Sequence, residues 1–272
     1  MKERYLVFIL IISFMIGCQD NVVENDLGYV EKFIVRSKLE AGKPISVYFG
    51  KTLPPNQPFD ISKAFVSDVN ARIVYKGRDY PLIHESNGNY KTKNDLAASN
   101  GETYELFAEW NGKSAYAITQ VPFTTTFQGA KVIPDTTQPG DTTYYFEGFL
   151  TPRPGAVYGA TWSIISNDNT FTEEDTVIVN LLREKDKDLK GFLLLQTRNI
   201  SNELLSKYRD FLFIRIHAFD EQFYNYFITQ DANNASTNIF SQAGVNLRWN
   251  VKGENALGMF IGKSDYIIRV SY

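Results

Sequence analysis

The stretch ETYELFAEWNGKSAYAITQV, residues 102–121, decides the fold class. From Tyr104 to Trp110 an apolar residue occupies every second position, which is the period of a half-buried β-strand. Asn111-Gly112 follows at once, and an Asn-Gly pair between two alternating runs is a strong hairpin signal because both residues tolerate the positive φ of a tight turn. The stretch therefore predicts an antiparallel β-hairpin.

Further alternating runs lie on both sides of this hairpin. They are at residues 32–39, 45–49 and 71–75 upstream, and at 144–150, 156–165, 176–182, 192–196, 211–219, 244–251 and 265–271 downstream. Two short helices are predicted at residues 201–208 and 220–231, opened by Ser201 and Asp220, whose side chains are suited to capping. Aromatic residues make up 14% of the chain, which favours pleated sheet. The sequence predicts an all-β fold with one or two short helices.

Turn-forming residues divide the strands into two groups. The segment from Pro122 to Thr143 is rich in Thr, Pro, Gly and Asp, and it predicts a linker between domains. We predict an immunoglobulin-like β-sandwich over residues 30–122, followed by a larger β-rich domain with the short helices over residues 123–272.

Cys18, the only cysteine of the chain, stands where a bacterial lipoprotein is cut and acylated. Two basic residues precede an apolar run over residues 5–16, and Gly17 stands directly before the cysteine. These are the marks of an export signal, and the run is shorter than the roughly 20 apolar residues that span a bilayer. We predict a signal peptide over residues 1–17, lipidation at Cys18 and a flexible acidic tether over residues 18–29. The alternative is an ordinary secretory signal in which this thiol has no role.

Overall charge limits the class of partner. With 28 Lys and Arg against 31 Asp and Glu, the chain has a net charge of −3 and no basic excess to hold a phosphate backbone. Nucleic acid is therefore not an expected partner, whereas a membrane is expected through the N-terminal lipid. With its one cysteine acylated, the chain could form no internal disulfide.

The sequence contains no recognisable catalytic or metal-binding motif. His84 and His217 are the only histidines and have no ligand-spaced His or Cys beside them, so we expect neither a zinc site nor a serine hydrolase triad. His217 is interpreted as a structural residue. The acidic runs at residues 173–175 and 186–188 are interpreted as solvated turns, because adjacent carboxylates on a loop cannot face each other across a substrate. We expect no catalytic residues, no metal and no cofactor.

Aromatic side chains are the remaining candidates for binding. Trp110, Trp162 and Trp249 are interpreted as core residues, although they could form a stacking platform. On the second predicted helix, Phe223 and Phe227 form an inward stripe, which leaves Tyr224 and Tyr226 as a possible contact surface.

The order of short sequence motifs resembles one family of lipoproteins. The motifs are Ile45-Ser46-Val47-Tyr48-Phe49, Asn87-Gly88-Asn89-Tyr90, Gly101-Glu102-Thr103-Tyr104, Tyr116-Ala117-Ile118-Thr119, Phe223-Tyr224-Asn225-Tyr226-Phe227 and Ala256-Leu257-Gly258-Met259-Phe260. In this order they resemble the Bacteroidota family known as domain of unknown function 4249. Ile239 stands where the family usually has proline, and Ala256 where it often has glycine. The resemblance implies a surface-exposed outer-membrane lipoprotein, often encoded near a TonB-dependent transporter, and it carries over no catalytic residue.

Two further expectations follow from the resemblance. The acidic residues after Cys18 resemble signals that send such lipoproteins to the cell surface, although they could equally form a solvated tether. Thr136, Thr142 and Thr176 each follow an aspartate, as in the Asp-Thr-X acceptor sites for O-glycosylation in that phylum.

For function, the sequence favours a non-enzymatic binding or accessory component that works beside a TonB-dependent transporter in the outer membrane. A secreted hydrolase whose carboxylates are brought together only by the fold, and an adhesive or scaffolding protein, are the alternatives.

Overall fold

The Asn111-Gly112 pair forms the tight turn that its chemistry requires, with φ of 46° at Asn111 and 72° at Gly112. Asn87-Gly88 forms a second such turn, with φ of 49° and 75°. The structure is a computed structural model, and it describes residues 28–270 except residues 56, 59, 94, 124, 137–141, 166–170 and 230–246. Of residues 171 and 172 it describes the backbone alone.

Sixteen strands and two α-helices are assigned in the described residues. The strands are β1 (Phe33–Glu40), β2 (Ser46–Lys51), β3 (Asn70–Tyr75), β4 (Arg78–Ser86), β5 (Asn89–Thr92), β6 (Thr103–Trp110), β7 (Lys113–Gln120), β8 (Thr126–Asp135), β9 (Thr143–Thr151), β10 (Ala156–Ile165), β11 (Phe171–Glu174), β12 (Leu182–Arg183), β13 (Leu193–Gln196), β14 (Ile200–Ser201), β15 (Leu212–Asp220) and β16 (Ala256–Arg269). The helices are α1 (Asn202–Lys207) and α2 (Gln222–Phe227), and 3-10 turns lie at Ile61–Ala64, Glu184–Asp186 and Arg209–Phe211.

The first half of the chain folds as a β-sandwich. Strands β1 to β7, joined by β16 from the end of the chain, follow the order β16-β1-β2-β5-β4-β3-β6-β7. Strand β4 passes from one sheet to the other by pairing first with β3 and then with β5. Alternate residues of these strands point between the two layers, because side chains on a strand change face at every residue. The inward set includes Phe33 and Phe49, whose rings stack 5.5 Å apart, and Trp110 at the end of the predicted hairpin.

The second half forms a further pair of layers. One layer continues the first sheet through β16 to β15, β10 and β11, and the other consists of β8, β13 and β14, all paired with β9. Buried side chains from both layers, among them Phe146, Trp162 and Ile214, form the core between them. The prediction of a mainly β chain that opens with a sandwich and carries two short helices is confirmed.

Strand β16 connects the two halves. It runs parallel to β1 from Ala256 to Lys263, and it pairs antiparallel with β15 from Lys263 to Arg269. Strands from both sides of residue 122 therefore share one sheet, and the described residues from Glu31 onward form one compact unit. The domain boundary at residue 122 stays a prediction.

Three sequence predictions need correction. The predicted linker Pro122–Thr143 contains the ten-residue strand β8, which pairs with β9. The predicted strand at residues 176–182 is not a strand before Leu182. Ile178 and Leu181 pack against β10 where Gly159 has no side chain. In the predicted strand 244–251, residues 247–251 are not in a strand, and residues 244–246 lie outside the described residues.

The helices follow their predicted starts. Ser201 Oγ accepts a hydrogen bond from the Leu204 backbone N–H, and Asp220 Oδ1 accepts one from the Gln222 backbone N–H. Both satisfy N–H groups that the first helical turn cannot pair internally. No helix of the described residues is both long and apolar enough to cross a bilayer.

Candidate functional site

Charged and polar side chains gather on one face of the sheet formed by β10, β15 and β16. Thr161 lies opposite Arg215, and His217 lies opposite Asp265, so the four side chains point to the same side. The residues between them on β15, such as Ile214 and Ile216, point to the opposite side, into the core. The period of two thus separates a polar stripe from an apolar one on the same strands.

His217 is the centre of this cluster and is 1% exposed. Its Nδ1 lies 3.0 Å from Asp265 Oδ1, and its Nε2 lies 2.9 Å from Thr161 Oγ1. Burial lowers the pKa of His217 to about 4, even though the hydrogen bond to Asp265 opposes this shift. The imidazole is therefore neutral at pH 7. Because a carboxylate only accepts, Nδ1 donates to Asp265 and Nε2 accepts from the hydroxyl of Thr161.

Asp265 is held by cations as well. Its Oδ2 lies 2.9 Å from Lys263 Nζ and 3.5 Å from Arg215 Nη1, and Arg215 Nε lies 3.0 Å from Glu174 Oε1. Burial alone would raise the pKa of Asp265, but the hydrogen bond from His217 and the charge of Lys263 hold that pKa well below its usual range. Asp265 is therefore ionised at neutral pH.

The order Thr161–His217–Asp265 is the order of nucleophile, base and carboxylate in hydrolase triads. A nucleophile must contact the substrate, however, and Thr161 is 0% exposed. The hydroxyl is instead used to satisfy the buried Nε2 of His217, which would otherwise lie unpaired in the sheet. These three residues hold strands β10, β15 and β16 together, and the interpretation of His217 as a structural residue fits its position.

A polar cleft of about 580 Å³ opens beside this cluster, at the point where β1 ends. It is lined by Glu40, Ala41, Gly42 and Lys43 after β1, by Ala98, Ser99 and Asn100, and by Arg215, Lys263, Ser264, Asp265 and Tyr266. The volume lies within the range of small-molecule sites. We regard this cleft as the candidate functional site.

The second carboxylate of the cleft is also kept ionised. Glu40 pairs with Lys38 at 2.6 Å and with Lys43. Burial alone would raise the pKa of Glu40, but the hydrogen bonds from these two lysines lower it overall. Both carboxyl groups in the cleft are therefore charged and paired.

Lys263 differs from the other cations of the cleft because it is 4% exposed. Burial lowers its pKa, against the opposing charge of Asp265. Its ammonium group has three N–H donors. Within the described part of the chain Asp265 Oδ2 is its one hydrogen-bond acceptor, and the Phe219 ring lies 5.6 Å from Nζ on another side.

The family model described as "Domain of unknown function (DUF4249)" matches residues 20–266. The chain belongs to this family. The resemblance of the sequence motifs to that family is thereby confirmed, and the matched range contains all the residues of the polar cluster and of the cleft.

Other comparisons add little. No curated protein gives a match. The crystal structure of bovine butyrophilin is similar at 9% sequence identity over 88% of this chain and 99% of that chain, with a TM-score of 0.21. A similarity this weak carries no argument about the chain, so its fold is described by its own strand order.

Of the two tyrosines predicted as a contact surface on α2, one is buried and the other is half-buried. Tyr226 is 0% exposed and packs between Phe223 and Trp249, so its prediction as a surface residue is wrong. Phe227 packs beside Phe223, with 6.3 Å between the ring centres, but it is only partly buried, so the inward face of the helix comprises positions 223, 226 and 227. Tyr224 is half-buried beneath the guanidinium of Arg183, 3.7 Å from its ring centre, and stays a prediction.

The remaining predicted positions are at the surface or outside the described residues. Thr136, Thr142 and Thr176 are all exposed, and their glycosylation stays a prediction. Beside Thr176, Asp175 is buried, and burial raises its pKa. Cys18, the signal peptide and the tether up to residue 27 lie outside the described residues.

Sequence reasoning did not find Arg215, Lys263 or Asp265 as a site. A signal was present: Arg215-Ile216-His217 places two polar residues at period two in an apolar strand, and Lys263-Ser264-Asp265 is a run of three polar residues within another apolar stretch. Within the described residues no three His, Cys, Asp or Glu side chains lie close enough together to hold a metal ion.

Proposed function

We propose that this chain is an outer-membrane lipoprotein, anchored through acylated Cys18, that binds a ligand or a partner in its polar cleft and catalyses no reaction. The resemblance to its family suggests a TonB-dependent transporter as the protein beside which it works. In this proposal the side chains of the cleft contact the ligand or partner, and the lipid holds the chain at the membrane.

One observation carries the choice of binding over hydrolysis. Hydrolysis by paired carboxyl groups requires one of them to keep its proton near neutral pH. In the cleft, the pKa of Glu40 is lowered by hydrogen bonds from Lys38 and Lys43. The pKa of Asp265 is lowered by the hydrogen bond from His217 and the charge of Lys263. Asp175, whose pKa is raised, does not line the cleft. The charges therefore suit recognition of a polar ligand better than proton transfer.

The lipid anchor agrees with the rest of the chain. Cys18 is the one cysteine, and residues 19–28 carry three acidic residues and few large apolar ones, which suits a solvated tether between a membrane and a folded body. Several acyl chains give durable attachment, since each buried methylene contributes about 0.8 kcal/mol.

The test is affinity purification from detergent-solubilised outer membranes of the native organism. The wild-type chain should recover a TonB-dependent transporter, identified by mass spectrometry, whereas Cys18→Ala should remain in the soluble fraction and recover none. A matched variant in the cleft, Lys43→Met, should stay in the membrane and recover less transporter. Purification of the wild-type chain free of any partner under gentle conditions would count against the proposal.

A further inference from the structure

The edge of β16 that faces β1 is open over the last six residues of the strand, 264–269. Strand β1 covers this edge as far as the pair Glu40 and Lys263, after which the chain turns away through Gly42. On the other edge, β15 remains paired from Lys263 to Arg269. Within the described residues, no strand is paired with the β1-facing edge of residues 264–269.

Two backbone hydrogen bonds define which groups this open edge presents. The Val270 N–H donates to the carbonyl of Leu212 on β15. On the opposite edge, the Lys263 carbonyl accepts from the N–H of Ala41, which follows β1. Successive residues of a strand direct their N–H and C=O groups to opposite edges. Asp265, Ile267 and Arg269 therefore present three N–H and three C=O groups on the open edge. Each residue as a whole is exposed, although the carboxyl side chain of Asp265 is 25% exposed.

The polar cleft lies at the start of this edge. Its wall includes four consecutive β16 residues, from Lys263 to Tyr266, which belong to both faces of the strand. A cleft in contact with both faces must lie against the strand edge between them. The turn after Glu40 closes one end of the cleft, and the open edge leads away from the other end.

Charge determines which group suits the closed end. Lys43, Arg215 and Lys263 line the cleft against the two carboxylates Glu40 and Asp265, which leaves one positive charge in excess. Lys263 Nζ also has donors beyond the one used by Asp265 among the described residues. A buried ammonium is stabilised by a further anionic acceptor.

We propose that an extended peptide adds to the open edge of β16, antiparallel to it, with its C-terminal carboxylate in the cleft beside Lys263. Strand β16 runs from Lys263 to Arg269. A peptide whose C-terminus lies at the Lys263 end runs in the opposite direction, so the pairing is antiparallel. Main-chain hydrogen bonds to Asp265, Ile267 and Arg269 supply affinity, as in other complexes in which a peptide extends a sheet. This inference rests on the binding role proposed above and specifies its ligand.

The test is fluorescence anisotropy with detergent-solubilised full-length protein. The probe is a hexapeptide of alternating threonine and valine, labelled with fluorescein at its N-terminus and ending in a free carboxylate. A second probe ends in an amide, and a third ends in an amide but carries glutamate as its last residue. We expect the free acid to bind about tenfold more tightly than either amide, a difference of about 1.4 kcal/mol. Equal affinity of the third probe would assign the site to a side-chain carboxylate and overturn the C-terminal assignment.

Two variants separate the edge from the cleft. Ile267→Pro removes an N–H from the open edge but none that pairs with β15, so the fold should tolerate it. All probes should bind this variant at least about tenfold more weakly than the wild type. Ile267→Ala keeps the N–H and should bind like the wild type. Lys263→Met should abolish the preference for the free acid and leave the weaker binding of the amide unchanged.

Several results would overturn the inference. They are absence of binding of the free acid up to about 1 mM, unchanged binding by Ile267→Pro, or a wild-type dimer in sedimentation that Ile267→Pro dissociates, which would make a second copy the occupant. Amide exchange at residues 265, 267 and 269 should slow on binding of the free acid. Exchange at residue 266, whose N–H faces β15, should be slow with and without the peptide, and slowing at 266 in place of 265 and 267 would contradict the edge assignment. These assays need neither a membrane nor a transporter. A negative result in them counts against the peptide ligand and leaves the co-purification test of the transporter unaffected.

Discussion

Thr119 donates a hydrogen bond of 2.6 Å to Asp220, although 101 residues separate them. The same carboxylate oxygen accepts from the Gln120 backbone N–H at 2.8 Å, and Thr119 Oγ1 accepts from the Gly262 backbone N–H at 2.8 Å. Asp220 is 6% exposed and also caps the start of α2. One carboxylate thus connects β7 of the first sandwich with the end of β15 and, through Thr119, with β16.

We expect Asp220→Ala to destabilise the fold by about 3 kcal/mol, because it leaves the buried hydroxyl of Thr119 and the partly buried N–H groups of Gln120 and Gln222 without this acceptor. The measurement is the free energy of unfolding from urea denaturation. Glu221→Ala, at the exposed neighbouring position, is the control and should change it by less than about 0.5 kcal/mol. Equal effects of the two substitutions would contradict the role of Asp220 as the connection.

Protonation of His217 should make stability depend on pH. The unfolded chain binds this proton near pH 6.5 and the folded chain only near pH 4, so between these values the unfolded state holds more protons. The stabilisation is therefore complete above about pH 6.5 and is lost as the pH falls toward 4. Between pH 7 and pH 4.5 the wild type should lose about 2 to 3 kcal/mol more than His217→Gln, which cannot titrate. Parallel pH profiles of the two proteins would show that the imidazole is already charged in the fold.

Glycine at position 258 is required by a close approach of backbone. Its φ is 138°, and a Cβ there would lie 1.7 Å from the carbonyl oxygen of Val35 on β1. Gly191 is the matched control, because its φ is 88° but a Cβ there would contact nothing within 4 Å. We expect Gly191→Ala to cost about 1 kcal/mol for the backbone conformation alone. Gly258→Ala should cost several times more in the same urea experiment, and similar costs would mean that β1 and β16 can separate locally.

The two tyrosines of α2 should behave differently. Tyr226→Ala removes a fully buried ring and should cost about 3 to 5 kcal/mol, the range for large aromatic residues in cores. Tyr224→Ala removes a half-buried ring beneath Arg183 and should cost about 1 kcal/mol. Thermal and urea unfolding of both variants would check this, and a larger loss for Tyr224→Ala would reverse the assignment of the inward face.

Local chemistry determined the parts of the fold that the sequence predicts well. The turn at Asn111-Gly112 and the cap at Ser201 depend on residues next to one another, so they are visible without the rest of the chain. Strand β8 was missed because its burial does not alternate clearly and its residues resemble a linker. The segment around Ile178 looks like a strand because it is apolar, but its side chains fill the space above Gly159 rather than a place in the ladder.

The candidate site could not be predicted for a different reason. Its charged residues come from β1, the turn after it, β15 and β16, and Glu40 and Lys263 are brought together only by the parallel pairing of the first and last strands. No spacing in the sequence encodes that pairing. On β16 the run Lys263-Ser264-Asp265 showed only that polar residues interrupt an apolar strand, and it did not show which other residues they meet.

Lipid anchorage of a binding protein is the central claim, and intact-mass and N-terminal peptide mass spectrometry of the protein from native membranes tests it most directly. We predict a mature chain that begins at residue 18, with a diacylglycerol thioether on Cys18 and an acyl group on its amine. An unmodified thiol at Cys18, or a chain that retains residues 1–17, would contradict it.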